Sequence, residues 1–210
     1  LVAAVGEMLS AEQVERGRSP FADKLGAEVA SSSLTIADDA TLPDGPASAP
    51  FDGEGSPTGR TELIAGGRLL TFVHDVRTAR RAGTNTTANA LRSSYRTPPV
   101  VGVSNLVVAG EQVPFAQLLA TLGDGFYITD LSGLHSGVNP VSGTFSVGAS
   151  GVVVRGGELA EPAREMTVAG SLTDLLRNVQ ALGDDRRWVP LAGSVSTPSL
   201  LVDGITVSGR

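Results

Sequence analysis

Glycine and proline interrupt this chain too often for a helical bundle. The 210 residues include 26 glycines and 12 prolines, so the apolar runs between them are mostly short. Gly-Gly pairs at 66–67 and 156–157 separate strand-like runs and permit the positive φ angles of tight hairpin turns. Asn105–Val108 followed by Gly110 is a weaker signal of the same kind. The pattern predicts an α+β fold in which a predominantly antiparallel, hairpin-rich β-sheet packs with a few helices.

Strands and helices can be assigned between these turns. The predicted hairpins join Thr61–Ala65 to Arg68–Val76 and Val152–Arg155 to Glu158–Ala160, and further strands are predicted at Leu34–Ile36, Phe126–Thr129 and Leu200–Val202. Apolar spacing predicts helices over 1–16, Pro114–Leu122 and Ser171–Leu182. In the last of these, Ser171 and Asp174 resemble a capping box and Gly183 follows the apolar stripe.

The order of these elements favours one domain over residues 1–210. A helix and a first strand occupy 1–36, a long loop 37–60, and a β-rich core 61–210. A loop of that length in a compact domain is usually functional or disordered. The chain opens at Leu1, directly inside an apolar pattern and without a methionine, so we expect an upstream part to be missing.

Composition excludes several classes of protein. Without cysteine there is no disulfide framework, no thiolate nucleophile and no cysteine-ligated metal. A net charge of −6 argues against extensive binding to nucleic acid or acidic membranes. No apolar run approaches the roughly 20 residues of a membrane span. We therefore expect a cytoplasmic protein that does not bind membranes.

Few residues could hold a catalytic metal. Zinc needs about three protein ligands, and the only imidazoles are His74 and His135. His74 shares a predicted strand with Phe72 and Val76, which favours a half-buried structural histidine. His135 lies in a glycine-bounded loop, where a functional role is as plausible as a structural one. The acidic side chains of the long loop lack the spacing of a calcium site and predict a solvated loop; they are Asp38, Asp39, Asp44, Asp52 and Glu54.

Two other chemistries have weak support. Gly148-Ala149-Ser150-Gly151 is the nearest approach to a nucleophile elbow, but a strand-like run follows it instead of a helix. Arg77, Arg80 and Arg81 would share a helix face, and Arg92 and Arg96 flank Tyr95. Such a cluster can bind nucleic acid, but it can also form a solubilising face or hold the carboxylates of a peptide.

The segment Gly137–Asp185 (GVNPVSGTFSVGASGVVVRGGELAEPAREMTVAGSLTDLLRNVQALGDD) resembles the C-terminal signature of the TldD/PmbA family. That signature has, in order, a glycine-rich turn, an S-G-x-F/Y strand, a G-A-S-G or A-C-E segment, an ENGE hairpin and a T-I-A-G-N-L helix start. Ser48–Leu70 resembles the family's other shared block, and SLLVDGITVSG its C-terminal strand. The resemblance implies that the family's N-terminal domain is absent here.

The resemblance also implies that a zinc site has been lost. TldD-type subunits carry an H-E-x-x-x-H helix and a downstream cysteine. Here Val2 stands for the first histidine, Ala3 for the glutamate base, Glu7 for the second histidine and Ser150 for the cysteine. The G-A-S-G spelling is that of TldE/PmbA-type members, which are thought to form heterodimers with TldD. We therefore expect no catalytic residue, metal or cofactor in this chain, and zinc only in a TldD partner.

The implied function is that of a non-catalytic subunit in a complex that cleaves unfolded or leader peptides. Residues expected to contact the peptide or partner are Phe51, Asp52, His135, Gly137, Asn139 and Ser142. Self-association is a further possibility. One alternative is a metallopeptidase or hydrolase whose site has moved to Glu7, His135 and Ser150. Another is a gyrase-associated modulator that binds nucleic acid through residues 77–96, although the family's older name, modulator of DNA gyrase, does not imply DNA binding.

Overall fold

The computed structural model describes residues 1–190 and 194–209 of the chain, which form short helices and many strands. The helices are α1 (Val2–Met8), α2 (Ala11–Glu15), α3 (Val76–Ala82), α4 (Phe115–Leu122), α5 (Leu134–Gly137) and α6 (Leu172–Arg177). The strands are β1 (Thr35–Asp39), β2 (Arg60–Ala65), β3 (Arg68–Leu69), β4 (Ala90–Leu91), β5 (Val100–Val101), β6 (Asn105–Ala109), β7 (Gln112–Val113), β8 (Gly125–Ser132), β9 (Val138–Asn139), β10 (Thr144–Arg155), β11 (Glu158–Ser171), β12 (Val179–Gly183), β13 (Arg187–Pro190), β14 (Ser194–Thr197), β15 (Leu200–Val202) and β16 (Thr206–Ser208).

The strands form two larger sheets and two small ones. The first larger sheet has the order β13-β14-β6-β1-β2-β3, and the second has the order β16-β11-β10-β8, with β9 also paired to β10. The small sheets are β15-β12-β7 and β4-β5. Only the pairs β14–β6 and β12–β7 are parallel in the part of the chain that the structure describes. The α+β fold with mainly antiparallel sheets is therefore confirmed.

One buried apolar cluster connects α1, both larger sheets and α6. The largest fully buried side chains are Met8, Leu9, Phe21, Leu34, Ile36, Leu63, Ile64, Leu69, Leu106, Leu172, Leu176 and Leu182. They are nearly all aliphatic, as a chain with only 4% aromatic residues requires. Because Val5 and Met8 of α1 belong to this cluster, the helix has a fixed orientation and its remaining face is free to line a site.

Both predicted Gly-Gly hairpins are present. Gly66 and Gly67 have φ angles of +51° and +79°, and Gly156 and Gly157 have +54° and +84°. Ala65 pairs with Arg68, and Arg155 pairs with Glu158, so each turn has two central residues. Positive φ at both positions gives the turn a twist that matches the flanking strands. The helical start of the chain and the helix that follows Pro114 are also confirmed.

The predicted helix Ser171–Leu182 is too long. It begins as expected, since Ser171 Oγ accepts a hydrogen bond from Asp174 N, but it ends at Arg177. Val179–Gly183 forms β12 between β7 and β15. Val179 and Leu182 are buried there, so pairing on both sides outweighs their helical spacing.

Two other segments also differ from the sequence prediction. The predicted strand Arg68–Val76 is shorter than expected, since β3 covers only Arg68–Leu69. Its last predicted residue belongs instead to α3, which Asp75 caps by accepting from Thr78 N at 2.7 Å. Asn105–Val108 is a strand but makes no hairpin with the residues after Gly110. It pairs with β1 and β14 instead, while β7 pairs with β12.

The predicted loop 37–60 is shorter than expected, and part of it is buried. Ala37–Asp39 extends β1, and Arg60 begins β2. Asp38 and Asp39 are only 3% and 5% exposed, so they do not belong to a solvated loop. Their carboxylates can be buried because they have hydrogen-bond partners: Asp39 Oδ1 accepts from Thr41 N at 2.9 Å, and Asp38 Oδ1 accepts from Ser104 N at 2.7 Å.

Candidate functional site

An open cleft of about 580 Å³ lies between α1, the β4–β5 hairpin and the segment that contains α5 and β9. Its walls are mostly apolar, and the polar side chains on it are Glu7, Ser10, Gln13 and His135. Ala3 lines it as well. The fold thus brings His135 to the same surface as Ala3 and Glu7, although it lies far from them in the chain.

Helix α1 provides one wall of the cleft. Ala3 and Glu7 are four residues apart and so share a helix face, opposite the buried Val5 and Met8. Gly6 lets the helix approach the neighbouring wall, since an added Cβ would lie 3.0 Å from Val103 Cγ2. Helix α1 therefore presents one exposed carboxylate to the cleft, that of Glu7.

The short helix α5 carries His135 to the opposite wall. Gly133, with φ +74°, precedes it, and Gly137 packs so closely on β10 that an added Cβ would overlap the Ser146 carbonyl oxygen. Asn139 Oδ1 accepts from the backbone N–H groups of Val141 at 3.0 Å and Ser142 at 3.2 Å. Gly137, Asn139 and Ser142 thus shape the turn around an exposed His135, and their predicted contact with a peptide stays a prediction.

The residues of this cleft do not fit a zinc ion. A catalytic zinc needs about three nitrogen, sulfur or oxygen ligands, and the cleft offers Glu7 and His135. Val2 and Ser150 do not line it; Ser150 is half-buried in β10, opposite Asp130 of β8. Among residues 1–190 and 194–209, no group of three or more His, Cys, Asp or Glu side chains could hold a metal.

The predicted contact residues Phe51 and Asp52 lie in a turn beside β4. Asp52 Oδ2 accepts from Ala90 N at 3.2 Å, and Oδ1 accepts from Ser56 N at 2.9 Å. The carboxylate therefore attaches the turn to the hairpin. Phe51 is 58% exposed and available for contact.

Part of the predicted basic cluster is neutralised within the chain. Arg77 Nη1 and Arg81 Nη1 lie 3.4 Å and 3.0 Å from Glu15 Oε2, and Arg77 Nη2 lies 3.6 Å from Glu12 Oε1. These pairs join α3 to α2. They reduce the positive charge that residues 77–96 could offer to a polynucleotide.

A buried carboxylate holds the third wall of the cleft. Asp38 accepts from Ser104 N at 2.7 Å and from Asn89 Nδ2 at 2.6 Å. Asn89 Nδ2 also donates to Gly102 O, and the backbone carbonyl oxygen of Asn89 accepts from Gly102 N, both at 3.0 Å. Since Gly102 and its neighbour Val103 line the cleft, Asp38 positions this wall. Burial raises the pKa of Asp38 to about 6, and its hydrogen bonds only partly oppose that rise.

Sequence reasoning missed Asp38 because the Asp-Asp pair was assigned to the loop. The available signal was its place directly after the apolar strand Leu34–Ile36.

His74 was predicted as structural and is more buried than expected, at 5% exposure. Its Nδ1 lies 3.3 Å from Thr78 Oγ1, and burial lowers its pKa.

Within residues 1–190 and 194–209, no helix is long and apolar enough to cross a membrane.

The fold is shared with a class of solved proteins. A proposed modulator of a DNA gyrase from Thermotoga maritima superposes with a TM-score of 0.88 at 34% identity, covering 96% of this chain and 45% of that one. TldE from Thermococcus kodakarensis superposes with a TM-score of 0.87 over 97% of this chain and 46% of that one; at 24% identity this likeness shows the fold alone.

Residues 1–209 match the family model of the PmbA/TldA metallopeptidase C-terminal domain, and the chain belongs to this family. Metalloprotease PmbA of Escherichia coli is 35% identical over 184 residues, which cover 87% of this chain and 38% of that protein. The chain therefore spans about two fifths of this curated relative. The predicted family membership is confirmed.

Proposed function

We propose that this chain is a non-catalytic, TldE/PmbA-like subunit that partners a TldD-type zinc metalloprotease in cleaving unfolded or leader peptides. The observation that carries the proposal is the cleft itself. Helix α1 carries the positions that the family resemblance assigns to the zinc motif, and the cleft beside it offers one carboxylate and one imidazole, Glu7 and His135. Zinc is then held by the partner alone.

The chemistry of the cleft supports binding without catalysis. Metal-dependent peptide hydrolysis needs an ion that polarises the carbonyl and a base that takes the proton of the attacking water. Ala3 stands at the position of that base and has no proton acceptor in its side chain. The mostly apolar walls can still hold side chains of an extended peptide, and Gln13 can hydrogen-bond to its backbone.

A relocated hydrolase site is the second candidate, because Glu7 and His135 share the cleft. Ser150 does not reach the cleft, so this candidate would lack its predicted nucleophile. Such an enzyme would cleave peptides without a partner and would lose that activity on substitution of His135.

The first test compares the chain alone with the chain co-purified with a TldD-type subunit that has an intact H-E-x-x-x-H motif. We expect about one zinc per pair and chelator-sensitive cleavage of a disordered fluorogenic peptide, but neither zinc nor cleavage for the chain alone. Replacing the motif glutamate of the TldD-type subunit by glutamine should abolish cleavage, whereas Glu7→Gln in this chain should leave zinc content unchanged.

Stoichiometric zinc in the purified chain would contradict the proposal. So would cleavage by the chain alone that is lost in His135→Ala while the circular dichroism spectrum is kept. The latter result would favour the relocated site.

A further inference from the structure

The hairpin at residues 90–101 is unusually exposed for a segment next to the cleft. Strands β4 and β5 are its base and residues 92–99 its tip; we call it the arginine hairpin. Leu91, Tyr95 and Val100 are 40%, 80% and 55% exposed. Apolar side chains grouped in this way on one projection are typical of binding surfaces.

The sequence of this hairpin and its neighbours is basic, whereas the whole chain is acidic. Two acidic side chains of the turn beside it already accept backbone hydrogen bonds, Asp52 from Ala90 N and Glu54 from Val76 N. From Val76 to Gly110 the sequence has five arginines and no aspartate or glutamate, whereas the chain has a net charge of −6. Two of the five, Arg77 and Arg81, pair with Glu12 and Glu15. The two arginines of the hairpin, Arg92 and Arg96, form no such ion pairs with the residues that the structure describes.

Arg92 and Arg96 are held by neutral acceptors. Arg92 Nε and Nη1 donate to the carbonyl oxygens of Gly53 and Thr97, both at 3.1 Å. Arg96 Nε donates to Tyr95 Oη at 2.7 Å, and its guanidinium lies 5.2 Å from the centre of the Tyr95 ring. Neither forms an ion pair with any residue in 1–190 or 194–209, so both guanidinium groups are oriented without a directly contacting carboxylate.

The arginine hairpin is continuous with the cleft. Leu91 and Val101 belong to its strands and also line the cleft wall. The turn with the exposed Phe51 is attached to β4, since Gly53 N donates to Ala90 O at 2.6 Å. A chain that leaves the cleft at this end would pass along Leu91 toward Arg92 and Arg96.

We propose that the arginine hairpin binds an acidic residue of an extended peptide whose neighbouring apolar residues occupy the cleft. This names the substrate class of the proposed function and rests on it. A guanidinium offers a planar fork of donors that matches a carboxylate, and stacking on Tyr95 fixes that of Arg96 before binding. The exposed carboxylate of Glu7 disfavours a polynucleotide, whose phosphates would continue from the hairpin into the cleft, whereas a peptide can place apolar residues there.

Binding to the chain alone tests this inference, by fluorescence anisotropy at low salt. The probes are a short labelled peptide with two glutamates beside an apolar run, the same peptide with glutamines, and a labelled single-stranded DNA. We expect the glutamate peptide to bind more tightly, and Arg96→Gln to weaken its binding about threefold with little effect on the glutamine peptide. Arg80→Gln, an equal charge change on the exposed side of α3, is the matched control and should have a smaller effect.

Each outcome separates this inference from the proposed function. If both peptides bind equally well and Arg96→Gln changes neither, the acidic preference is wrong while peptide binding by the cleft stands. If DNA binds more tightly than the glutamate peptide and depends on Arg96, the surface is a nucleic-acid site and the inference is overturned. No zinc or cleavage measurement enters this test, so loss of catalysis in the pair would not affect it.

Discussion

Replacing Gly151 by alanine is expected to lower the free energy of unfolding by about 3 kcal/mol, a large effect for one methyl group. Gly151 lies in β10 where the pairing with β8 shifts register. An added Cβ would overlap the Tyr127 carbonyl oxygen and lie 2.9 Å from its carbon and 3.0 Å from Ile128 Cα. These are backbone atoms, so only separation of the two strands can relieve the clash.

The same substitution should also change the shape of the cleft. Strand β8 leads directly through Gly133 into α5, which carries His135, so a displaced β8 would move that wall and weaken peptide binding. Urea unfolding and peptide anisotropy measure the two effects. Gly59→Ala is the control, because a Cβ there meets nothing within 4 Å. If Gly151→Ala were as stable as Gly59→Ala, the close approach of β8 and β10 would be wrong.

Asp38→Asn is expected to change how stability depends on pH. Folding raises the pKa of Asp38 from its ordinary 3.8 to about 6, mainly through burial and secondarily through the nearby Asp39. A raised pKa means that the folded state binds the proton more tightly. Protonation of Asp38 therefore stabilises the folded state. This contribution is fully present below pH 3.8 and is lost as the pH rises through about 6. This rise in the pKa corresponds to about 3 kcal/mol of stability.

Asparagine at position 38 cannot ionise, so the variant should lack this loss. It can still accept from Ser104 N, and Asn89 Oδ1, which is buried without a partner among the described residues, can turn to accept from the new amide. Urea unfolding between about pH 4 and pH 7 should show wild type losing about 3 kcal/mol relative to the variant. Asp44→Asn, at an exposed carboxylate, should parallel wild type. Parallel curves for wild type and Asp38→Asn would show that Asp38 has an ordinary pKa.

Features governed by neighbours in sequence were predictable. The Gly-Gly turns need two positive φ angles, which glycine adopts without a Cβ clash. The start of α6 needs only the Ser171 hydroxyl, three residues before the N–H that it caps. The predicted end of α6 was wrong, because Val179 and Leu182 lie in β12, which pairs with β7 and β15. Neither strand pairing can be recognised from the spacing of apolar residues.

In the candidate site, too, some features depend on the sequence alone and others on contacts between distant segments. The sequence by itself determined the family, the absence of cysteine and the residue types at positions 3 and 7, because these depend on identity and order alone. Only the tertiary structure placed His135 opposite α1, left Ser150 out of the cleft and buried Asp38 under its wall. These outcomes depend on strand pairings between distant segments, whose choice is set by the packing of the whole core. The H-E-x-x-x-H positions of α1 could thus be read from the chain, but the cleft that surrounds them could not.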